Sequence, residues 1–294
     1  MDGGFITSGE LAFRDLDDDA LFAKLWAMLR GRIHGMCFSA YVGEQSPGAK
    51  SVLDEGQVAS RMDIVAPHAR WVRTFSCTEG NEHGARLAKA RGLKTLVGAW
   101  IGDSPEKDEA ELQAAIELAQ SGQADMVAIG NEVLLRGDRS LEELVSLIQR
   151  FREAVPNVPV GYVDAYFLFS QHPGLVEACD FLPINCYPFW EGCPLEGAVP
   201  YAQQMVAQVK SVSGGKPVVI AETGWPTAGM PERGALPGSR AAALYALNLI
   251  PWAERVDVPL FWFSAFDEGW KVGAEGDAGA CWGFWDKDGE PKFA

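Results

Sequence analysis

The 294-residue chain has no Cys-x-x-Cys pair, and its 4 histidines form no His-x-His or His-Glu-x-x-His spacing. Zinc ribbons, thioredoxin-type redox motifs and metallohydrolases are therefore unsupported. The Gly-x-Gly-x-x-Gly fingerprint of a doubly wound dinucleotide fold is missing as well. The loop GEQSPGAKS at 43–51 fails the P-loop pattern, because Ala49 separates Gly48 from Lys50. It reads as an ordinary Gly/Pro loop. Ser76 and Ser264 lack a Gly-x-Ser-x-Gly elbow. Positive charge is scarce: 25 Lys and Arg stand against 40 Asp and Glu, a net charge of −15. That excludes a basic nucleic-acid face and disfavours an anionic polymer as substrate. A neutral ligand meets no such barrier. No apolar run approaches the roughly eighteen residues of a membrane span. The start, MDGGFITSGELAFRDLDDDA, has no basic n-region followed by an apolar stretch, so no signal peptide is read and a cytoplasmic location is expected.

The 6 cysteines are Cys37, Cys77, Cys179, Cys186, Cys193 and Cys281. Most lie in apolar runs and read as buried thiols, in keeping with a reducing compartment. Cys186 and Cys193 flank an aromatic loop, and spacing leaves open whether they are bridged.

What the chain does contain is repetition, and 48% apolar residues suffice for a large core. Short β-rich runs begin near Ile33, Arg70, Lys94, Asp125, Val158, Asp180, Pro217 and Pro259. Segments of helical character separate them. Residues 108–120 show three- and four-residue apolar spacing, 140–155 open on a Ser140/Glu143 capping box, and 239–252 are rich in Ala and Leu. Strand and helix alternating eight times predict an α/β fold, a (β/α)8 barrel. The near-continuous apolar runs suit parallel strands buried on both faces. Residues 1–32 read as a helical extension packed on a catalytic barrel of residues 33–294. The acidic run at 15–19 reads as a solvated helix start that suits the helix dipole.

In such a barrel the chemistry sits at the C-terminal strand ends. The polar residues falling there are Arg73, Asn131 and Glu132, Asp164, Asn185 and Tyr187, Glu222, and Asp267, Glu268 and Lys271. Alternation puts Val218, Ile220 and Glu222 on one side of their strand, so Glu222 continues an inward-facing series. Two glutamates on strands four and seven would face each other across one cleft, the equipment for glycoside cleavage. One must be protonated, through burial or a neighbouring charge, and the other ionised. Arg73, Asn131 and Tyr187 are donors that suit the ionised one, and Arg73 and Asp164 are read as substrate contacts as well. Of the 10 Trp, Trp100, Trp190, Trp225 and Trp270 lie at or beyond strand ends, where ring faces suit a pyranose. Trp26, Trp71 and Trp252 read as scaffold. A lone strand-end Glu is more often a solvated loop residue. Two of them, one behind Asn and one before Thr-Gly-Trp-Pro, favour catalysis.

The stretches IGNEV (129–133), ETGWP (222–226) and FDEGWK (266–271) together resemble glycoside hydrolase family 17, over residues 33 to 293. That resemblance implies a retaining barrel enzyme acting on β-1,3-glucan, by hydrolysis or transglycosylation, with no metal or organic cofactor. It implies Glu132 as acid/base, Glu222 as nucleophile, Asn131 as a sugar ligand and Tyr187 as a hydrogen-bond partner near the nucleophile. It further implies Glu268 and Lys271 as a supporting pair and Tyr41 as a cleft aromatic. Trp225 would lie beside the sugar, with Gly224 and Pro226 shaping its turn. Gly269 and Trp270, and the loop PFWEGCPLEG after strand six, depart from the plant pattern. A different neutral glycan, such as a β-mannan, and a non-catalytic carbohydrate-binding barrel are the alternatives. The binding barrel is disfavoured because both glutamates are intact.

Overall fold

In the computed structural model, residues 10–49, 51–102 and 104–293 are described. Eight parallel strands close in sequence order into a barrel: β1 Ile33–Cys37, β2 Ala69–Arg73, β3 Lys94–Ala99, β4 Met126–Asn131, β5 Val160–Ala165, β6 Leu182–Asn185, β7 Val218–Thr223 and β8 Leu260–Trp262. Each begins within two residues of an apolar run read from the sequence. Both faces are covered. All six residues of β7 are buried, as burial between barrel interior and outer helices requires.

The helices start where the sequence supplies caps. Asp17 accepts from Ala20 N at the head of helix Asp18–Arg30, and Ser104 with Pro105 opens helix Pro105–Gln120. The Ser140/Glu143 box is formed in both directions on helix Leu141–Ala154. Helix Asp18–Arg30 buries Leu21, Leu25 and Leu29, one face at four-residue spacing. It packs on helix Ser239–Arg255, where Arg240 donates to Asp18 at 2.6 Å and to the Leu16 carbonyl at 2.8 Å. Trp26 Nε1 donates to the carbonyl of Phe293, so the first helix is tied to the end of the chain. The first nine residues of the expected extension lie outside the described residues, as does Lys50 of the loop that fails the P-loop pattern. Pro47–Ala49 of that loop form a 3-10 turn. Among the described residues no helix is long and apolar enough to cross a membrane.

All six cysteines are free thiols. Five are buried and Cys281 is partly exposed. Cys186 and Cys193 are not bridged.

Three ladders slip in register near their C-terminal ends: β4/β5 between Ala128 and Asn131, β6/β7 between Ile184 and Asn185, and β7/β8 between Ile220 and Thr223. Such bulges re-aim side chains. Here they fall at or beside Asn131, Asn185 and Glu222.

Candidate active site

The C-terminal strand ends open into a cleft of about 1410 Å³. Its floor holds Asn131, Glu132, Asn185, Tyr187 and Glu222, and its walls carry Tyr41, Phe75, Trp100, Trp190, Phe263 and Trp270.

The two glutamates have unlike surroundings. Glu222, next to last in β7, is almost completely buried. Arg73 Nη1 donates to its Oε1 at 2.7 Å, and Tyr187 OH donates to its Oε2 at 2.6 Å. Burial and the charge of Glu222 push the Tyr187 phenol far above its ordinary range, so it stays a donor. Arg73 Nη2 reaches Asn131 Oδ1 at 2.8 Å, so one guanidinium spans strands four and seven.

Glu132 follows β4 with φ +55°, in the left-handed region that a branched or bulky residue seldom occupies. Its backbone N donates to Val163 O at 2.8 Å, and the short helix Val133–Arg136 begins immediately after it. Gly130 makes the preceding turn possible. Its φ is +90°, and a Cβ there would stand 2.9 Å from Val133 Cγ2. The only donor to the Glu132 carboxyl among the described residues is Asn185 Nδ2, at 2.8 Å from Oε1. Burial, then the charge of Glu222, raise its pKa to about 7, while the Asn185 bond pulls the other way.

A second charged group stands beside Glu222. Lys271 Nζ lies 3.2 Å from Glu268 and 3.7 Å from Glu275, and 4.1 Å from the centre of the Phe263 ring. Burial works against its charge, but the acidic neighbours outweigh burial and its pKa is raised. Tyr41 accepts from Asn81 Nδ2 at 3.0 Å and packs edge-on against Trp270. Trp100 lies under the Arg136 guanidinium, 4.9 Å from its ring centre.

Three of the expected sugar contacts sit elsewhere. Trp225 is fully buried behind the cleft, edge-on to Phe189 and against Tyr245, with Nε1 donating to Leu236 O at 2.9 Å. Its ring is scaffold because an indole whose N–H has a backbone partner can be sealed at no polar cost. Gly224 makes no left-handed turn there. It is needed because a Cβ would fall 2.1 Å from Phe263 O. Asp164 is also fully buried. It accepts from Tyr162 OH, from Ala165 N at 2.7 Å and from Leu135 N at 3.3 Å, bracing the chain after Glu132. Arg73 lies under the floor, 1% exposed, and reaches a ligand only through Glu222 and Asn131. The remaining expected residues, Asn131, Tyr187, Tyr41, Trp100, Glu268, Trp270 and Lys271, all line the cleft. Trp225→Ala is expected to cost about 3–5 kcal/mol of stability with KM for an oligosaccharide little changed. Denaturant unfolding alongside steady-state kinetics measures both, and a raised KM at unchanged stability would restore Trp225 to the cleft.

Other lining residues carried no sequence signal. Glu111, on helix Pro105–Gln120, is buried, and burial raises its pKa although Ser76, Thr78, Cys77 N and Trp100 N all donate to it. It ties the loops after β2 and β3 together. Its place inside an amphipathic helix hides it. Glu191, in the loop after β6, accepts from Tyr201 OH, which lies 3.3 Å from Tyr166 OH.

Comparison with known proteins bears on the family and the fold. Residues 35–283 match the BtgE/BtgC glycoside hydrolase domain. A glucan 1,3-beta-glucosidase of Arthroderma benhamiae is 30% identical over 266 residues, covering 82% of this chain and 84% of that protein. The family 17 beta-1,3-glucanosyltransferase of Rhizomucor miehei superposes with a TM-score of 0.78 at 27% identity, covering 88% of this chain and 95% of that one. An active-site mutant of the Rhizomucor enzyme, crystallised with laminaritriose, superposes equally well. With that match over most of its length, and with the barrel and paired glutamates in place, the chain belongs to the BtgE/BtgC glycoside hydrolase domain family and so to glycoside hydrolase family 17.

Proposed function

We propose that the chain is a retaining enzyme of β-1,3-glucan, with Glu222 as nucleophile and Glu132 as acid/base. The observation that carries this reading is the contrast between the two carboxyls. Glu222 accepts from a guanidinium on one oxygen and from a phenol on the other. Glu132 is held protonated up to about pH 7 by burial and by Glu222 itself. Glu222 attacks the anomeric carbon while Glu132 gives its proton to the departing glycosidic oxygen, leaving a covalent glycosyl-enzyme. Glu132, now ionised, takes a proton from the incoming hydroxyl, which attacks the same carbon and frees Glu222. Asn131, its Oδ1 occupied by Arg73, has its amide N–H groups available to a sugar hydroxyl near the cleavage point. Tyr41, Trp100, Trp190 and Trp270 offer ring faces to further sugars, and a cleft rich in carboxylates suits a neutral chain.

The β-1,3 linkage is supported by the names of the relatives and by the laminaritriose bound to the Rhizomucor mutant. Transfer to a second glucan is the other reading. It is favoured by the aromatic lining, which holds a sugar acceptor better than it holds water. Incubating purified protein with a β-1,3-gluco-oligosaccharide, chelator present, tests both. Shorter products alone mean hydrolysis, and products longer than the substrate mean transfer. An oligosaccharide left intact, with a β-1,4-glucan or β-mannan cleaved instead, overturns the linkage.

A further inference from the structure

Asn185 closes β6 and is 3% exposed. The β6/β7 register slip falls just before it, and backbone pairing to Ala165 on β5 and Glu222 on β7 holds it from both sides. Its Nδ2 donates to Glu132 Oε1 at 2.8 Å. Its own Oδ1 is buried and has no partner among the described residues. Glu132 Oε2 takes no hydrogen bond from a described residue and belongs to a side chain that lines the cleft.

A protonated carboxyl has two unlike oxygens, and only a proton on the oxygen nearer the substrate can pass to the glycosidic oxygen. An amide N–H donates and cannot accept, so the oxygen facing it is the one without hydrogen. We propose that Asn185 is a positioning residue for the acid proton: it keeps Glu132 Oε1 as an acceptor and so places the proton on Oε2, toward the bound sugar. Turning the amide over would offer Oδ1 to an Oε1–H and hold the proton away from the substrate. In the ionised state, which Glu132 passes through in every cycle, that orientation sets lone pair against lone pair. The orientation with Nδ2 toward Glu132 is satisfactory in both states.

The charged and titratable groups facing Glu132 are Glu222 on β7, Asp164 on β5, Tyr187 just beyond β6 and Arg136 on the following helix. The carboxylates raise its pKa, while Arg136 and the Asn185 amide lower it. Loss of the amide therefore moves it further up.

Asn185→Ala and the isosteric Asn185→Asp, each assayed on two substrates, provide the test. One is a β-1,3-gluco-oligosaccharide, whose sugar leaving group needs a proton. The other is a 2,4-dinitrophenyl β-glucoside, whose leaving group needs none. The loss in kcat/KM is expected to be at least about tenfold larger on the oligosaccharide. The alkaline limb of the oligosaccharide profile is expected to move to higher pH. Equal losses on both substrates, or an unmoved limb, would make Asn185 merely structural. A gain on the oligosaccharide would mean that the native amide traps the proton. Should Asn185→Ala not fold, Asn185→Asp carries the test, since the carboxylate it adds beside Glu132 is expected to give the same split and a larger limb shift. The inference rests on Glu132 as acid/base, which Glu132→Ala with added azide checks separately. No azide rescue on the aryl glucoside sinks that reading. Rescue together with equal losses in the Asn185 variants sinks this inference alone.

Discussion

Glu222→Gln is expected to lower kcat on a β-1,3-gluco-oligosaccharide by about 10⁴-fold or more, with the fold intact. The amide keeps the shape of the side chain and one acceptor for Arg73, but it cannot form a glycosyl ester. It also sets an N–H₂ against one of the two donors, Arg73 Nη1 or Tyr187 OH, that flank the carboxylate in the native site. Arg73 is 1% exposed, so bulk solvent does not reach it. Removing one partner of a buried ion pair costs about 3–5 kcal/mol, and the retained acceptor places this variant near the lower end. Circular dichroism and thermal unfolding would report the fold, and single-turnover kinetics the chemistry. Glu222→Ala adds a sharper arm. Azide entering the vacated space should restore cleavage of an activated aryl glucoside and give the α-glycosyl azide, because one displacement then replaces two. Turnover by Glu222→Gln at a tenth of the native rate, or a β-azide product, would take the nucleophile role away from Glu222.

How much of this site can be read from residues alone depends on what kind of contact a residue makes. The strands were legible because a buried parallel strand must be apolar on both faces, as β7 is. Glu132 and Glu222 were legible because a charge at the end of such a run has few structural reasons to be there. Trp225 misled where Trp270 did not. Both follow a strand end, but nothing local tells whether an indole N–H will meet Leu236 O, 11 residues on, or water. Asp164 and Arg73 fell at strand ends too, yet both are buried and bonded to protein groups. Arg73 meets Glu222 and Asn131 across the barrel, and Asp164 meets Tyr162 and the chain just after Glu132, partners that no local pattern names. Asn185 depends on the register slip that falls just before it between β6 and β7. Glu111 was out of reach, since a buried Glu in an amphipathic helix looks like a solvated one until the loops that donate to it are placed.

Glu132→Gln is expected to combine a loss of activity with a pH-dependent gain in stability. Without a proton donor, kcat/KM on the oligosaccharide falls by about 10²–10⁴-fold. The alkaline limb of the native profile, in which the acid form is lost as pH rises through about 7, disappears with it. For stability, the native carboxyl titrates near 7 and the unfolded one near 4.5, so the folded state binds this proton more tightly. Its contribution is fully present below about pH 4.5 and is lost as pH rises through about 7. The difference of about 2.5 pKa units amounts to stability on the order of 3 kcal/mol. Glutamine does not ionise, and it keeps an oxygen for Asn185 Nδ2 while removing the repulsion from Glu222. The variant should therefore match the native protein near pH 4 and exceed it at pH 8, by up to that amount. Urea unfolding at the two pH values measures the gap. An equal gap at both would mean that Glu132 is not protonated by its surroundings, and the division of labour between the two glutamates would then lack its physical cause. The site is costly for the same reason that it can act. Folding keeps an acid neutral beside an anion, and that arrangement, unfavourable to the chain above pH 7, is what lets one carboxyl give a proton while the other attacks.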